Sequence, residues 1–440
     1  MKTSKSGAPV SNLSPEQTKI RELSEQLVNI QKPIRILDAI KWPASTQKRF
    51  FDQGCQELPA IDVDFYKQVP LNYDPEKKTQ EFLEFELNVQ KHLGKISGLS
   101  LLLQRMSREY RDVIRMIEAR GTPQFSEISK ALYGSDQDAF YQGGPTNQDF
   151  AESLSRTLPT LKLQTQNEKD EKRYSSQQTV DILKERLSTY FNDPAESIRV
   201  EISDSIIADA AAGAESVKIR EDAQFTERDL KILEVHEGWV HVGTTLNGLR
   251  QPICTFLSKG PPSSTMTQEG LAIITEIFTF SMYPARLQRL VNRVRAIAMV
   301  EAGANFIEVF NFYREQGHGD EESYGLAVRV FRGSTPHGGA PFTKDLVYSR
   351  GFILIYNYIC LAIQKGVLHY IPLLFLGKTT LEDLPLLADL VEEGLIKPAK
   401  YLPPQFSDLA SLSSWMNFSL FMDQIDLQKM AIDFKAILRE

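Results

Sequence analysis

The amino-acid sequence predicts a mostly helical α+β fold with a small antiparallel sheet packed beside one helix. Three observations carry that prediction. Apolar residues recur at three- and four-residue steps over much of the chain, as in 79–92 and 96–119. Two short runs, 198–202 and 217–220, instead alternate apolar and polar residues, with Ala- and Gly-rich sequence between them. The composition, 42% hydrophobic and 24% charged over 440 residues, is that of a globular protein long enough for two or three domains.

Taken in order, residues 1–12 are polar and read as a disordered tail. Residues 13–163 form a helical N-terminal region, with turns or extended connections at Trp42-Pro43 and Val69-Pro70. His92 is its only histidine, and it holds no catalytic constellation. Residues 164–178 lose nearly all apolar character and are expected to be a polar linker or exposed loop. Residues 179–440 form the expected catalytic domain: a helix at 180–191, the two strand-like runs, then mainly helices.

Bulk properties exclude several function classes. A net charge of −7, with no basic run interleaved with aromatics, gives no reason to expect nucleic acid. Cys55, Cys254 and Cys360 are few and far apart, which fits a reducing compartment. The first 17 residues lack the apolar core of a signal peptide. The apolar run 352–363 is shorter than the ~20 residues of a membrane span and reads as a buried core helix. A cytoplasmic location with no membrane partner is expected.

The most informative stretch is 233–241, where His236 and His241 bracket Glu237. Thr226 and Asp229 make a capping box, and Phe225 can staple onto Leu230, so a helix starts there and runs through His241. Gly243 and Asn247-Gly248 are expected to end it. At ~100° per residue, positions five apart point ~140° apart, against ~40° for the H-E-x-x-H pair of ordinary zinc helices. Both imidazoles reach one ion only if the helix is locally widened. A π-type turn between His236 and His241 is therefore predicted, with Gly238 easing the distortion. Without it, the two histidines are ordinary helix residues and Glu237 a surface charge.

Glu269 is the candidate third ligand. Thr265 and Gln268 read as a second capping box, which puts Glu269 in the first turn of a helix, with Gly270 allowing close approach. Two histidines and one carboxylate from separate helices make a His₂Glu zinc site with an open position for water. A glutamate favoured there by the helix dipole is the plainer alternative.

With these motifs in hand, the chain resembles the bacterial QEGLA-motif proteins (labelled flavohemoglobin expression-modulating) and the related microtubule-associated tyrosine carboxypeptidases. The matching blocks are His236-Glu237-x-x-x-His241, Leu246-Asn247-Gly248, Gln251-Pro252, Gln268-Glu269-Gly270-Leu271-Ala272, 306–310, 330–333, 342–345 and Tyr348. The resemblance implies a zinc carboxypeptidase with His236, His241 and Glu269 as ligands and Glu237 as general base. It also implies a pocket for the C-terminal residue, which is tyrosine in the animal enzymes. The expected core is gluzincin-like. A tubulin preference is not carried over, because it depends on surfaces outside these blocks.

The ligand set leaves zinc with net positive charge, which lowers the pKa of bound water toward ~7 and polarises a scissile carbonyl. Glu237 would take the water proton and deliver it to the leaving amine. Tyr348 is the candidate donor to the oxyanion. A free terminal carboxylate needs a cation: Arg332 and Lys344, which flank the loop 334–339, are candidates, as is Lys218, if a peptide lies along its strand edge. Arg332 and Lys344 are equally open to structural roles, and Lys218 reads better as a solvated surface lysine. His318 and His337 sit in Gly-rich loops as candidate extra ligands or exposed residues; His92 and His369 are assigned nothing, and Trp239 reads as packing. The rival readings are a zinc aminopeptidase or dipeptidyl-peptidase, a non-catalytic regulatory protein that keeps the metal site, and a purely helical interaction protein. An enzyme gripping an amino terminus would need an acidic cluster. The expected partner is a peptide or protein C-terminal tail.

Overall fold

Prolines and short polar side chains set where the helices begin. In the computed structural model, which describes residues 13–165, 171–193, 198–204, 206, 209–213 and 216–438, Ser14 caps Pro15–Gln31 and Asp74 caps Pro75–Leu93. Ser97 caps the long helix Gly98–Glu118. Each supplies a side-chain oxygen to an otherwise unsatisfied backbone N–H. The described chain is 66% helical, which with its few strands makes it α+β. The tail at 1–12 lies outside the described residues.

Two small ladders lie ahead of the functional helix. β1 (Tyr174–Ser175) pairs antiparallel with β5 (Gln224–Phe225). β2 (Arg199–Ser203), β3 (Ala210–Ala212) and β4 (Ser216–Arg220) form a second sheet in the order β2-β4-β3. Within this second sheet the antiparallel expectation holds only for β3 and β4; β2 and β4 run parallel, so the sheet is mixed. The reason is β3 itself, formed by the Ala-rich stretch that reads as a connector in the sequence. It takes the antiparallel place beside β4, and β2 is left to the other edge. Val217 and Ile219 point into the core, with Ala210 and Ala212 on the same face.

The described parts of 164–178 are structured. The helix Leu158–Thr165 ends there, β1 follows, and Ser175 caps a helix from Ser176 to Tyr190, four residues earlier than the periodicity suggests. Residues 166–170 lie outside the description.

The N-terminal helices share a core with the rest. Leu23, Phe82 and Leu103 pack in one cluster with Leu271, Ile355 and Phe375. Tyr66 ties a second junction: its hydroxyl accepts from the Trp42 indole and from the Gly333 amide, beside Arg332. The apolar run at 352–363 belongs to the helix Val347–Gln364, which packs along the helix Pro262–Phe278. Together with the turn before it, this segment is long and apolar enough to cross a membrane, but Ile355, Ile359 and Ala362 are buried in the protein core.

Candidate active site

The capping box at Thr226 and Asp229 starts the functional helix as the sequence predicts. From Leu233 to Val242 the helix is a π-helix, ten residues long. Hydrogen bonds to the fifth residue back widen the turn, so positions five apart lie on one face. His236 and His241 accordingly stand with ring centroids 4.8 Å apart. The helix does not end at Gly243; it continues in α form from Gly243 to Leu249. Asn247, expected as a stop signal, is instead a latch. Its amide donates to the carbonyls of Phe375 and Tyr401 and accepts from the amides of Lys400 and Tyr401. Gly248 allows close contact, since a Cβ there would lie 2.4 Å from the Leu257 carbonyl. Gly238 answers to the same constraint: an added Cβ would fall 2.4 Å from Leu187 Cδ2.

Glu269 comes from the helix Pro262–Phe278, which starts three residues before Thr265. Pro262 at its first position fixes the start, because proline there gives up no helical hydrogen bond. A carboxylate from another helix, that of Glu109, accepts from the Ser263 amide. Glu269 therefore sits in the buried interior of its helix and not in its first turn. Gly270 meets Gly351 on the helix Val347–Gln364, where a Cβ on Gly270 would be 2.4 Å from the Gly351 carbonyl. That crossing brings Tyr348, one turn before Gly351, to the site. Its ring stacks 6.5 Å from His236.

The resulting geometry has the dimensions of a metal centre. Oε2 of Glu269 lies 3.3 Å from His236 Nε2 and 3.4 Å from His241 Nε2. Around a tetrahedral ion with bonds of about 2.0–2.1 Å, ligand atoms stand about 3.3–3.4 Å apart. That same Oε2 is buried and has no well-aligned hydrogen bond among the described residues. Glu237 competes for the third position, since its carboxylate lies within 4.8 Å of both imidazoles. However, Glu237 Oε2 accepts the Ala212 amide of β3 at 2.8 Å. The shorter spacing and the unpaired oxygen favour Glu269 as ligand and leave Glu237 beside the group.

Electrostatics reinforce the arrangement. Burial opposes the His236 imidazolium, but the close carboxylates of Glu269 and Glu276 outweigh it and hold its pKa up at about 9. Burial would raise the Glu269 carboxyl, yet His241 and His236 hold it well below the ordinary range. Burial and the Glu269 charge push the Tyr348 phenol up to about 12, so it stays protonated and able to donate.

Three contributors escape sequence reasoning. Glu276 accepts from His236 Nδ1 at 2.7 Å and is clasped by Arg286 through two contacts of 3.1 and 2.8 Å. It stands seven residues after Glu269, two turns along the same face, and that spacing is the signal which could have found it. Lys378 donates to the His241 carbonyl, Thr244 and Gln268, and burial pushes its pKa down to about 7. Arg293 lies 4.2 Å over the Tyr348 ring.

Of the other candidates, Lys344 is close enough to Glu269 for that charge to support its ammonium against burial. Arg332 is buried with its Nε unpaired among the described residues, and burial and Arg329 lower its pKa to about 10. Lys218 lies on the central strand β4, between Glu201 and Ala211, so the edge position expected for it belongs to β3. It occupies the sheet face opposite Val217 and Ile219. His318 pairs with Glu322, and His92, His337 and His369 are exposed. Trp239 packs on Tyr190.

A family model described as microtubule-associated tyrosine carboxypeptidase matches residues 48–424, most of the chain. The protein is thus an enzyme of the carboxypeptidase class. No curated protein matches it. The chain belongs to the microtubule-associated tyrosine carboxypeptidase family.

Proposed function

We propose that this protein is a zinc-dependent carboxypeptidase of the QEGLA-motif branch, acting in the cytoplasm on peptide or protein C-terminal tails. The terminal residue removed is tyrosine or another aromatic. The observation that carries the reading is Glu269 Oε2, which stands 3.3 Å from His236 Nε2 and 3.4 Å from His241 Nε2, spacings that suit a tetrahedral ion, and which is otherwise unpaired among the described residues. When bound there, zinc supplies Lewis acidity to the scissile carbonyl and acidifies water.

The chain's own residues do the rest. Glu237 takes a proton from the attacking water and passes it to the leaving amine. The Ala212 amide holds one of its oxygens and so fixes the carboxylate's orientation. Tyr348, kept protonated, donates to the developing oxyanion. Lys344 and Arg332 meet the terminal carboxylate. Arg293, Arg329, Arg332 and Lys344 cluster around the buried Asp345, with Glu269 also acting on Lys344, so these four cations outnumber those two acids, a balance that suits an anionic chain end more than an ammonium. That excess of cations disfavours the aminopeptidase alternative. Free Cys254 and Cys360, both buried, suit a reducing cytoplasm.

Metal analysis of the purified protein, with mass spectrometry of a peptide library, tests the reading. Wild type should carry about one zinc and shorten peptides by one C-terminal residue. Glu237→Gln should keep the zinc and lose about 10²–10⁴-fold in rate. Zinc-free wild-type protein, or peptides shortened from the amino end, would overturn it.

A further inference from the structure

His236 and His241 are held in place by different means. His236 is fixed through its ring, by the Glu276 carboxylate on Nδ1. No side chain among the described residues takes Nδ1 of His241 in that way. His241 is held through its backbone instead. Its carbonyl accepts from the Thr245 hydroxyl at 2.8 Å and from Lys378 Nζ at 3.0 Å. The same Nζ lies 2.8 Å from Gln268 Oε1 and 3.0 Å from Thr244 Oγ1. Gln268 precedes Glu269 in the helix Pro262–Phe278, so one amino group reaches both helices that bear candidate ligands.

Lys378 itself stands on neither helix. It follows the short 3₁₀ turn Pro372–Phe375, and its amide donates to the Leu257 carbonyl at 2.7 Å. Gly377 before it packs so closely that a Cβ would lie 2.4 Å from that carbonyl, and the Gly377 carbonyl accepts from the Gln268 side chain at 3.3 Å. The segment is therefore anchored before its side chain reaches out. The three partners of Nζ are neutral oxygens, and no carboxylate among the described residues pairs with it. An amino group placed there loses solvation without gaining an ion pair. A side chain of equal length without the nitrogen would avoid that loss, but at this level the helices would then be bridged only by the Thr244–Gln268 hydrogen bond of 2.7 Å.

We propose that Lys378 is a positioning residue, which ties the His241 carbonyl to Gln268 and so fixes His241 Nε2 against Glu269 Oε2. The proposal rests on the reading of these residues as metal ligands. The π-helix explains why such a tie is needed. A widened turn is a rarely populated helical form, and relaxation toward α-helix would turn positions five apart to ~140° from each other. Lys378 and Thr245 grip the carbonyl next to Val242, the last residue of the widened stretch. Ligands held in advance bind a metal more tightly than ligands that must first be gathered.

Lys378→Met keeps the stem and removes the donors, and three measurements on the full-length protein test it. Zinc affinity, read by competition with a chelating dye, should fall about 10–100-fold. The visible absorption bands of the cobalt-loaded protein, which report coordination geometry, should shift and lose intensity. In metal-free protein the amides of 233–249 should exchange about tenfold faster, because the widened stretch opens more readily. Gln268→Leu removes the other end of the tie and should also weaken zinc binding. The two losses should be non-additive, the double variant binding zinc about as weakly as the worse single one. A lysine that served stability alone would lower the melting temperature and leave affinity and spectrum as in wild type. Wild-type zinc affinity and cobalt bands in Lys378→Met therefore overturn the proposal, whatever the melting temperature. If that variant does not fold, Gln268→Leu decides by the same two readouts. Wild-type protein that takes up neither zinc nor cobalt sinks the metal reading, and this proposal with it. Wild-type uptake that Lys378→Met leaves unchanged sinks the proposal alone.

Discussion

Glu276 accepts a hydrogen bond from Nδ1 of His236 at 2.7 Å, with no part of its side chain exposed. Burial opposes its charge, but Arg286 and His236 hold its carboxyl down at about 2, so it is ionised and can only accept. Nδ1 must therefore carry the proton, and Nε2 is turned toward His241 and Glu269. Glu276→Gln should weaken zinc binding about 10–100-fold without unfolding the protein, read by competition with a chelating dye. The same substitution should flatten the acid limb of stability. The folded-state pKa is depressed, so the stabilisation is complete above the unfolded value near 4.5 and is lost as pH falls toward 2. An unchanged acid limb would remove Glu276 from this role.

Stripping the metal exposes the opposite sign. In the metal-free protein the His236 pKa is raised from 6.5 to about 9. The protonated ring contributes stability that is fully present below pH 6.5 and is lost as pH rises through 9. Melting temperatures of chelated protein should fall across that window, and His236→Ala should abolish the fall.

Two glycines separate packing from placement. Gly270→Ala drives a methyl into the Gly351 backbone, which cannot swing aside, and should cost about 3 kcal/mol while displacing Tyr348. Gly238→Ala meets only the end of Leu187, a side chain that can rotate, and should cost about 1 kcal/mol. Denaturant titration checks the order; equal costs would mean that the Gly270–Gly351 crossing is looser than described.

Asn247→Ala removes four hydrogen bonds that fasten the functional helix to Phe375, Lys400 and Tyr401. A loss of about 2–4 kcal/mol is expected, since the stranded backbone groups lie in a buried setting. Melting with zinc content measured in parallel should show stability falling before metal affinity does.

Local patterns in the sequence already fix a good deal. The capping box at Thr226, the five-residue spacing of His236 and His241, and the small residue at 270 each act over a turn or two of helix. The π-helix at 233–242 is the form that lets this spacing put both histidines on one face, which an α-helix does not. The start of the Glu269 helix misleads, since Thr265 and Gln268 imitate a capping box inside a helix that Pro262 begins. β3 is hidden because three alanines carry no alternation; only pairing with β4 makes them a strand. Arg286, Arg293 and Lys378 are ordinary cations in sequence, and nothing near them names their partners.

The sequence by itself determined which side chains share a helical face, because backbone periodicity is a local property. The tertiary structure alone decided which faces meet. It set Glu276 behind His236, laid the Ala212 amide against Glu237, and closed the N-terminal helices over a cavity at Lys344. These contacts join residues far apart in the chain, and they exist only once burial of the shared core has brought the helices together.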